Sequence, residues 1–295
     1  MKIGFIGFGE AASSLALGLG SEGIRDMLAY RPGAGDSGRD ALRKKNAAAA
    51  GVRLTADPGE LARESEVIIC AVPAAFSLAA AREVREHLSG RQIYVDITAT
   101  TPELKKAIWA ELKGSGVRFV DAAVLGGLPR EKHRVPIAAS GNGAEAFREL
   151  FTPFHMQISN VGEEPGAASA IKLIRSIFMK GISALMLETL QAADHYGVSG
   201  EVTASLAASL DSQTFLEHLD RLVTGSAIHC RRRADELAGS IAMLEAAGLD
   251  AAMTKAARDR LRGLERHGFD RRFLEERPSG WEEIIRILRD DPAES

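Results

Sequence analysis

A chain of 295 residues, 45% hydrophobic and 26% charged, exceeds one ordinary domain and has the composition of a globular protein with two cores. Its formal net charge of −3 gives no basic excess for nucleic acid, and no apolar run reaches the roughly 18 residues of a membrane span. Cys70 and Cys230 have neither zinc nor disulfide spacing, and the seven histidines form no His-x-x-x-His pair, so no metal site is expected and a reducing cytoplasm is.

The chain opens on an apolar stretch, Lys2 to Ile6, with no charged leader or cleavage site before it. Gly7-Phe8-Gly9-Glu10-Ala11-Ala12 follows, and then the helix-forming run SSLALGLGSEG. This is G-x-G-x-x-A between a strand and a helix. Gly7 allows the tight turn, Gly9 lets backbone approach a pyrophosphate, Ala12 lets helix pack on strand, and the phosphates meet the helix N-terminus. A second strand, Met27 to Tyr30, ends in Arg31-Pro32, where an NAD site offers an acidic residue to the ribose. A guanidinium there can hold a 2′-phosphate, with Arg39, Arg43 and Lys44 as helpers, so NADP is favoured over NAD.

Apolar strands at Val67 to Val72, Gln92 to Asp96 and Val117 to Asp121 alternate with helical stretches such as Phe76 to Leu88 and Pro102 to Leu112. The pattern predicts a doubly wound parallel sheet, covered on both faces, with ligands beyond the C-terminal strand ends. Those ends are Val72-Pro73, the loop Asp96 to Pro102 that contains Thr98, and Asp121 to Gly127. The basic loop Leu128 to Arg134 could receive an anionic substrate tail or be merely solvated. Val135 to Ser140 and Ile158 to Val161 read as the last strands, and Gly162 to Gly166 as the boundary between a Rossmann-like domain (1–163) and an all-α domain (164–295).

That second domain is entered through one long helix, Ala167 to Tyr196, roughly 45 Å at about 1.5 Å per residue. Apolar residues on nearly every side predict that it is mostly buried, which makes Lys172, Arg175, Ser176 and Lys180 costly without a partner or a task. Further helices are expected at Gly200 to Leu210, Thr214 to Leu222, Ile228 to Ala247, Ala252 to His267 and Gly280 to Leu288.

GFIGFGEAA, VDITATTP, DAAVLGG and GAASAIK occur in the order and spacing of the β-hydroxyacid dehydrogenases, which include 3-hydroxyisobutyrate and phosphogluconate dehydrogenases. The chain resembles this family over residues 1 to about 180. The resemblance implies that Thr98 takes the place of a serine touching cofactor and substrate. It also implies that Gly126 and Gly127 hold a substrate carboxylate, with Leu125 where a serine is usual. The family's lysine motif maps onto Gly166, Ala168 and Lys172, with Arg175 and Ser176 in place of two asparagines. Asp235 stands where a later lysine is common, which together with Arg175 implies a charge exchange across the site. Paired helical domains, hence a homodimer, are implied as well.

The expected protein is therefore an NADP-preferring oxidoreductase acting on a small anionic β-hydroxy acid or related carbonyl compound. A lysine in an apolar cleft beside a cationic ring has its charged form disfavoured, which suits Lys172 to general acid/base work. The alternatives are an imine reductase, built on a similar fold but generally without that lysine, and a non-catalytic NADP-binding protein.

Overall fold

The computed structural model describes residues 1–31 and 37–291, with backbone alone for 37–39, so the Arg39 side chain lies outside the described residues. By internal packing the chain divides into two units, Met1–Ile177 and Phe178–Ser295.

The first unit alternates strands and helices: β1 (Ile3–Ile6), α1 (Glu10–Ser21), β2 (Met27–Tyr30), α2 (Ser37–Ala50), β3 (Arg53–Thr55), α3 (Pro58–Glu64), β4 (Val67–Cys70), α4 (Ser77–Val84) and β5 (Ile93–Asp96). It continues with α5 (Pro102–Leu112), β6 (Arg118–Val124), α6 (Leu128–Glu131), β7 (Ile137–Ser140), α7 (Ala144–Phe151), β8 (Ile158–Asn160) and the start of α8 (Ala167–His195). The sheet order is β3-β2-β1-β4-β5-β6-β7-β8. Strands β1, β2, β4 and β5 are buried along their whole length, because helices cover both faces. Their side chains alternate between two cores. Ile3, Phe5, Ile69 and Val95 join α1 and α7 on one face; Ile6, Ile68 and Tyr94 join α3, α4 and α5 on the other.

The last two strands depart from the parallel direction, β8 running alongside β7 in the same sense. β7 runs antiparallel to β6, pairing Asp121 with Ser140 and Val124 with Ile137. Residues 125–136 hold a four-residue helix and a 3-10 turn, Lys132–Arg134, and His133 in this connection sits against Gly18 of α1, so the chain reverses beside β6 without crossing the sheet.

Helix starts follow local chemistry. Thr101 accepts the Leu104 N–H at 3.3 Å with Pro102 in the first turn of α5, and Asp57 accepts the Gly59 N–H at 2.8 Å at the head of α3.

The second unit is helical: the rest of α8, then α9 (Ser199–Leu210), α10 (Phe215–Ile228), α11 (Cys230–Ala246), α12 (Ala252–Leu264), α13 (Phe269–Arg272) and α14 (Trp281–Asp290). Ala227, Cys230, Leu264, Phe269, Ile284 and Ile287 form its main core. Glu188 of α8 caps α12, accepting the N–H groups of Met253 and Thr254 at 2.8 and 2.9 Å.

Helix α8 has the expected length and not the expected burial. Ile174, Ile177, Met179 and Leu187 are 65%, 75%, 57% and 63% exposed, because the apolar residues spread over more of the helix circumference than this chain covers.

Candidate functional site

The site is built on the C-terminal ends of the strands. At the end of β1, Gly7 has φ +81°, and a Cβ there would stand 2.8 Å from Val72 Cγ1, so only glycine fits the turn. Gly9 caps α1 in extended conformation, exposed, with nothing within 4 Å of where its Cβ would be. No side chain caps the first N–H groups of α1, which leaves them open to an anion. Glu10 is exposed and Ala11 half-buried, while Ala12 is fully buried under the turn. The Phe8 side chain packs edge-on against Phe5 in the core, so only its backbone belongs to this turn. Val72 is half-buried and Pro73 exposed just past β4.

Arg31, at the end of β2, does not stand alone. Its guanidinium is 2.6 Å from the Asp40 carboxylate of α2, which also holds Arg43 at 3.0 Å. The acidic residue missing from the end of β2 thus arrives from the next helix, and it gathers two guanidinium groups side by side. The hydroxyl of the preceding residue, buried Tyr30, donates to Glu83; burial, then that carboxylate, pushes its proton affinity up.

Deeper lies a polar network with no solvent contact. Asp96, Lys105, Asp121 and Ser140 are all 0% exposed. Lys105 Nζ donates to the Asp96 carbonyl at 2.8 Å and lies 3.1 Å from Asp96 Oδ1 and 3.4 Å from Asp121 Oδ1. Asp121 in turn accepts the N–H groups of Gly166 at 3.1 Å and Ser169 at 2.9 Å, and the Ser169 hydroxyl at 2.7 Å. Gly166, with φ +103°, allows this approach, since a Cβ there would stand 3.0 Å from the Pro102 carbonyl oxygen. Lys172 follows Ser169 by three residues on the same face of α8 and is half-buried. Burial lowers its proton affinity most, the charge of Lys105 adds to this, and Asp121 opposes it. Thr98 Oγ1 and Asp96 Oδ2 are buried without a hydrogen-bond partner among the described residues. Asp121 opens a strand-end stretch that the sequence marked, but nothing local marked Asp40 or Lys105 as members of a site.

The Gly126-Gly127 turn differs from expectation. The Gly127 N–H already donates to Glu131 Oε1 at 3.0 Å, and that oxygen lies 2.7 Å from where a Gly126 Cβ would be. A carboxylate of the chain itself thus occupies a donor that the sequence reading gave to the substrate. Leu125 packs with Ala168 and Ile171, and Arg175 Nη1 donates to the Leu125 carbonyl at 3.3 Å. Ser176 is half-buried one residue on. Asp235 lies exposed on α11 in the second unit, and Arg232 on the same helix pairs with Glu236 at 3.6 Å.

The basic loop is partly spent on structure. His133 Nε2 and Arg134 both lie 3.0 Å from Glu22 Oε1, and His155 Nδ1 is 2.9 Å from Oε2. With Arg134 as the largest contributor, these partners hold the Glu22 carboxyl at about 2. Among the described residues no group of three His, Cys, Asp or Glu could hold a metal, and no helix is long and apolar enough to cross a membrane.

Open space at Gly9, an uncapped helix end and the unpartnered Thr98 hydroxyl fit a dinucleotide at the strand ends. Comparison with known proteins agrees. Residues 2–100 match the family model described as NADP oxidoreductase, coenzyme F420-dependent, and residues 193–264 match a domain of unknown function. An uncharacterised 28.5 kDa protein of Methanothermus fervidus is 31% identical over 80% of this chain and 88% of its own. The mitochondrial 3-hydroxyisobutyrate dehydrogenase of Drosophila melanogaster is 24% identical over 73% of this chain and 62% of that one. Among solved structures, a conserved protein of unknown function, reported as structurally similar to 3-hydroxyacid dehydrogenases, is 34% identical over 90% of this chain and 97% of its own, with a TM-score of 0.61. An imine reductase variant from Myxococcus stipitatus, solved with NAD+, shares the fold at a TM-score of 0.74 and 18% identity, covering 97% and 99% of the two chains. The chain belongs to one family with the Methanothermus protein and that conserved structure, an NADP-binding oxidoreductase family similar to the 3-hydroxyacid dehydrogenases.

Proposed function

We propose that the protein is an NADP-preferring oxidoreductase that interconverts a small hydroxy compound and its carbonyl, with Lys172 as general acid/base. The observation that carries this reading is the placement of Lys172. It is half-buried, with its proton affinity lowered chiefly by burial, on a helix whose first turn is tied to Asp121 of β6, in the sheet that also carries the dinucleotide turn. Gly7, Gly9 and Ala12 would hold the cofactor's phosphates, Arg31 and Arg43 a 2′-phosphate, and Thr98 would donate near the ring. When bound, the nicotinamide supplies or accepts the hydride. In oxidation Lys172 takes the hydroxyl proton; in reduction it returns one to the carbonyl oxygen. Arg175, the cation next along α8, would orient an anionic group.

Gly162–Gly166 is the boundary we assign between the cofactor domain and the helical one. The exposed apolar stripe on α8 supports a homodimer through the helical part, and two buried free thiols, Cys70 and Cys230, support a cytoplasmic location.

A second reading has its own observation. Glu131 on the Gly127 N–H and Leu125 beside it leave that turn poorly suited to a substrate carboxylate, which favours an uncharged ketone or an imine. Assay of the purified protein with NADP(H) and NAD(H) against hydroxy acids, ketones and cyclic imines separates the two. Turnover of hydroxy acids supports the first reading, and turnover of imines alone the second. Tight NADP(H) binding with no turnover would remove both and leave a cofactor-binding protein.

A further inference from the structure

The stripe of α5 that faces the sheet runs Lys105, Ile108, Leu112, each 0% exposed, so a lysine stands where the helical period asks for an apolar residue. Its stem packs as a hydrophobe would, and its ammonium meets three acceptors, the Asp96 carbonyl and one oxygen each of Asp96 and Asp121. A buried ammonium is tolerable only with such partners. The same Asp121 accepts three donors from the start of α8, the turn that precedes Lys172. Lys105 therefore joins β5, β6 and, through Asp121, the head of α8.

We propose that Lys105 is a positioning residue for Lys172: by clasping Asp96 and Asp121 it fixes the first turn of α8 and compensates two carboxylates whose charge would otherwise act on the Lys172 amine. The proposal rests on the reading of Lys172 as the acid/base group. The charged groups around Lys172 are Lys105 from α5, Asp121 from β6, and Arg175 on α8 itself, whose guanidinium turns to the Leu125 carbonyl; Asp96 of β5 lies behind Lys105. Burial and Lys105 favour the neutral amine, and Asp121 favours the ammonium. Removing the Lys105 charge would leave the carboxylates to hold Lys172 protonated. Removing the Asp96 charge would leave Lys105 less compensated and push the other way.

The test reads Lys172 directly. Trace acetic anhydride is applied across a pH series, and acetylation of Lys172 is quantified by peptide mass spectrometry in the parent, Lys105→Gln and Asp96→Asn proteins without cofactor. Lys105→Gln should raise the Lys172 midpoint by on the order of one pH unit, about a tenfold loss of reactivity at fixed pH, and Asp96→Asn should lower it. These shifts of opposite sign are what a purely structural lysine would not produce. Should Lys105→Gln fail to fold, the Asp96→Asn arm decides alone. Unmoved midpoints, or shifts of one sign in both variants, overturn the proposal. Because labelling needs no turnover, a Lys172→Ala enzyme that keeps its rate would remove the acid/base reading while leaving this coupling to be judged on its own data.

Discussion

Ser169 gives both its N–H, at 2.9 Å, and its hydroxyl, at 2.7 Å, to the carboxylate of Asp121. The middle of β6 and the start of α8 are thereby fixed to each other by direct, buried bonds, and Lys172 follows that join by three residues. Charge-assisted bonds of this kind are among the stronger ones in proteins, and breaking them here would leave a buried carboxylate exposed to its own cost.

Lys172→Ala should leave cofactor affinity nearly intact, since the Gly7–Ala12 turn and the Arg31 cluster hold the dinucleotide. Turnover should fall by about 10²- to 10⁴-fold, the usual cost of losing a positioned proton-transfer group. Calorimetric titration and steady-state kinetics on one preparation read both. At least half the parental kcat would take Lys172 out of the mechanism.

NADP(H) should bind tighter than NAD(H), and Arg31→Ala should narrow the gap by about 1.5 to 3 kcal/mol, the range for hydrogen bonds to charged groups. Asp40→Asn should widen it, because both guanidinium groups that Asp40 now holds are released. Equal affinities for the two cofactors in the parent protein would end this reading of Arg31.

Glu131→Gln removes the charge that caps Gly127. For carboxylate-bearing substrates KM should fall about tenfold, roughly 1.4 kcal/mol, while uncharged substrates should be unaffected. An equal change for both classes would show that Glu131 shapes the loop without screening the substrate's charge.

Glu22 gives a prediction about acid stability. Its folded carboxyl sits at about 2 against an ordinary 4.5, so its contribution is complete above the ordinary value and is lost as pH falls from there toward about 2. Glu22→Gln should therefore melt lower than the parent near neutrality, and the two curves of Tm against pH should converge across that acid window. A deficit that stays constant with pH would assign the effect to shape and not to charge.

The apolar stripe of α8 predicts a dimer. Ile177, 75% exposed, is its most open member of those named above, and Ile177→Glu would bury a carboxylate in the pairing face. Light scattering should give twice the chain mass for the parent and the monomer mass for the variant, with dimerisation weakened about 100-fold or more. A monomeric parent at micromolar concentration would contradict it.

Much of this was legible because it is local. A glycine pattern between a strand and a helix, and a helical run opened by Pro165-Gly166, are written in neighbouring residues, and α8 ends within one residue of its expected limit. The pairing of Arg31 with Asp40 joins residues nine apart, and nothing in the sequence pattern brings them together. Lys105 stayed hidden for another reason: a lysine on a helix reads as solvent-facing until its two carboxylates, nine and sixteen residues away on different strands, are placed beside it. The reversal of β7 leaves no mark in hydrophobicity, since a buried strand looks alike in either direction. The Glu131 cap had a readable trace in Gly127-Leu128-Pro129-Arg130-Glu131, a proline-started turn with a carboxylate four residues after the glycine.

Asp96 and Asp121 are direct partners in the register of β5 and β6, two acidic side chains facing each other across adjacent strands. Such an alignment repels itself, and strands brought together before α5 has docked would gain by slipping to another register. Lys105 reverses that preference once its ammonium arrives between the two carboxylates. The order of assembly is thereby constrained: β6 can lock only onto a β5 that already carries its helix, and the same lock then seats the head of α8. A substitution at Lys105 should accordingly slow refolding more than it speeds unfolding, a kinetic signature of a contact made early.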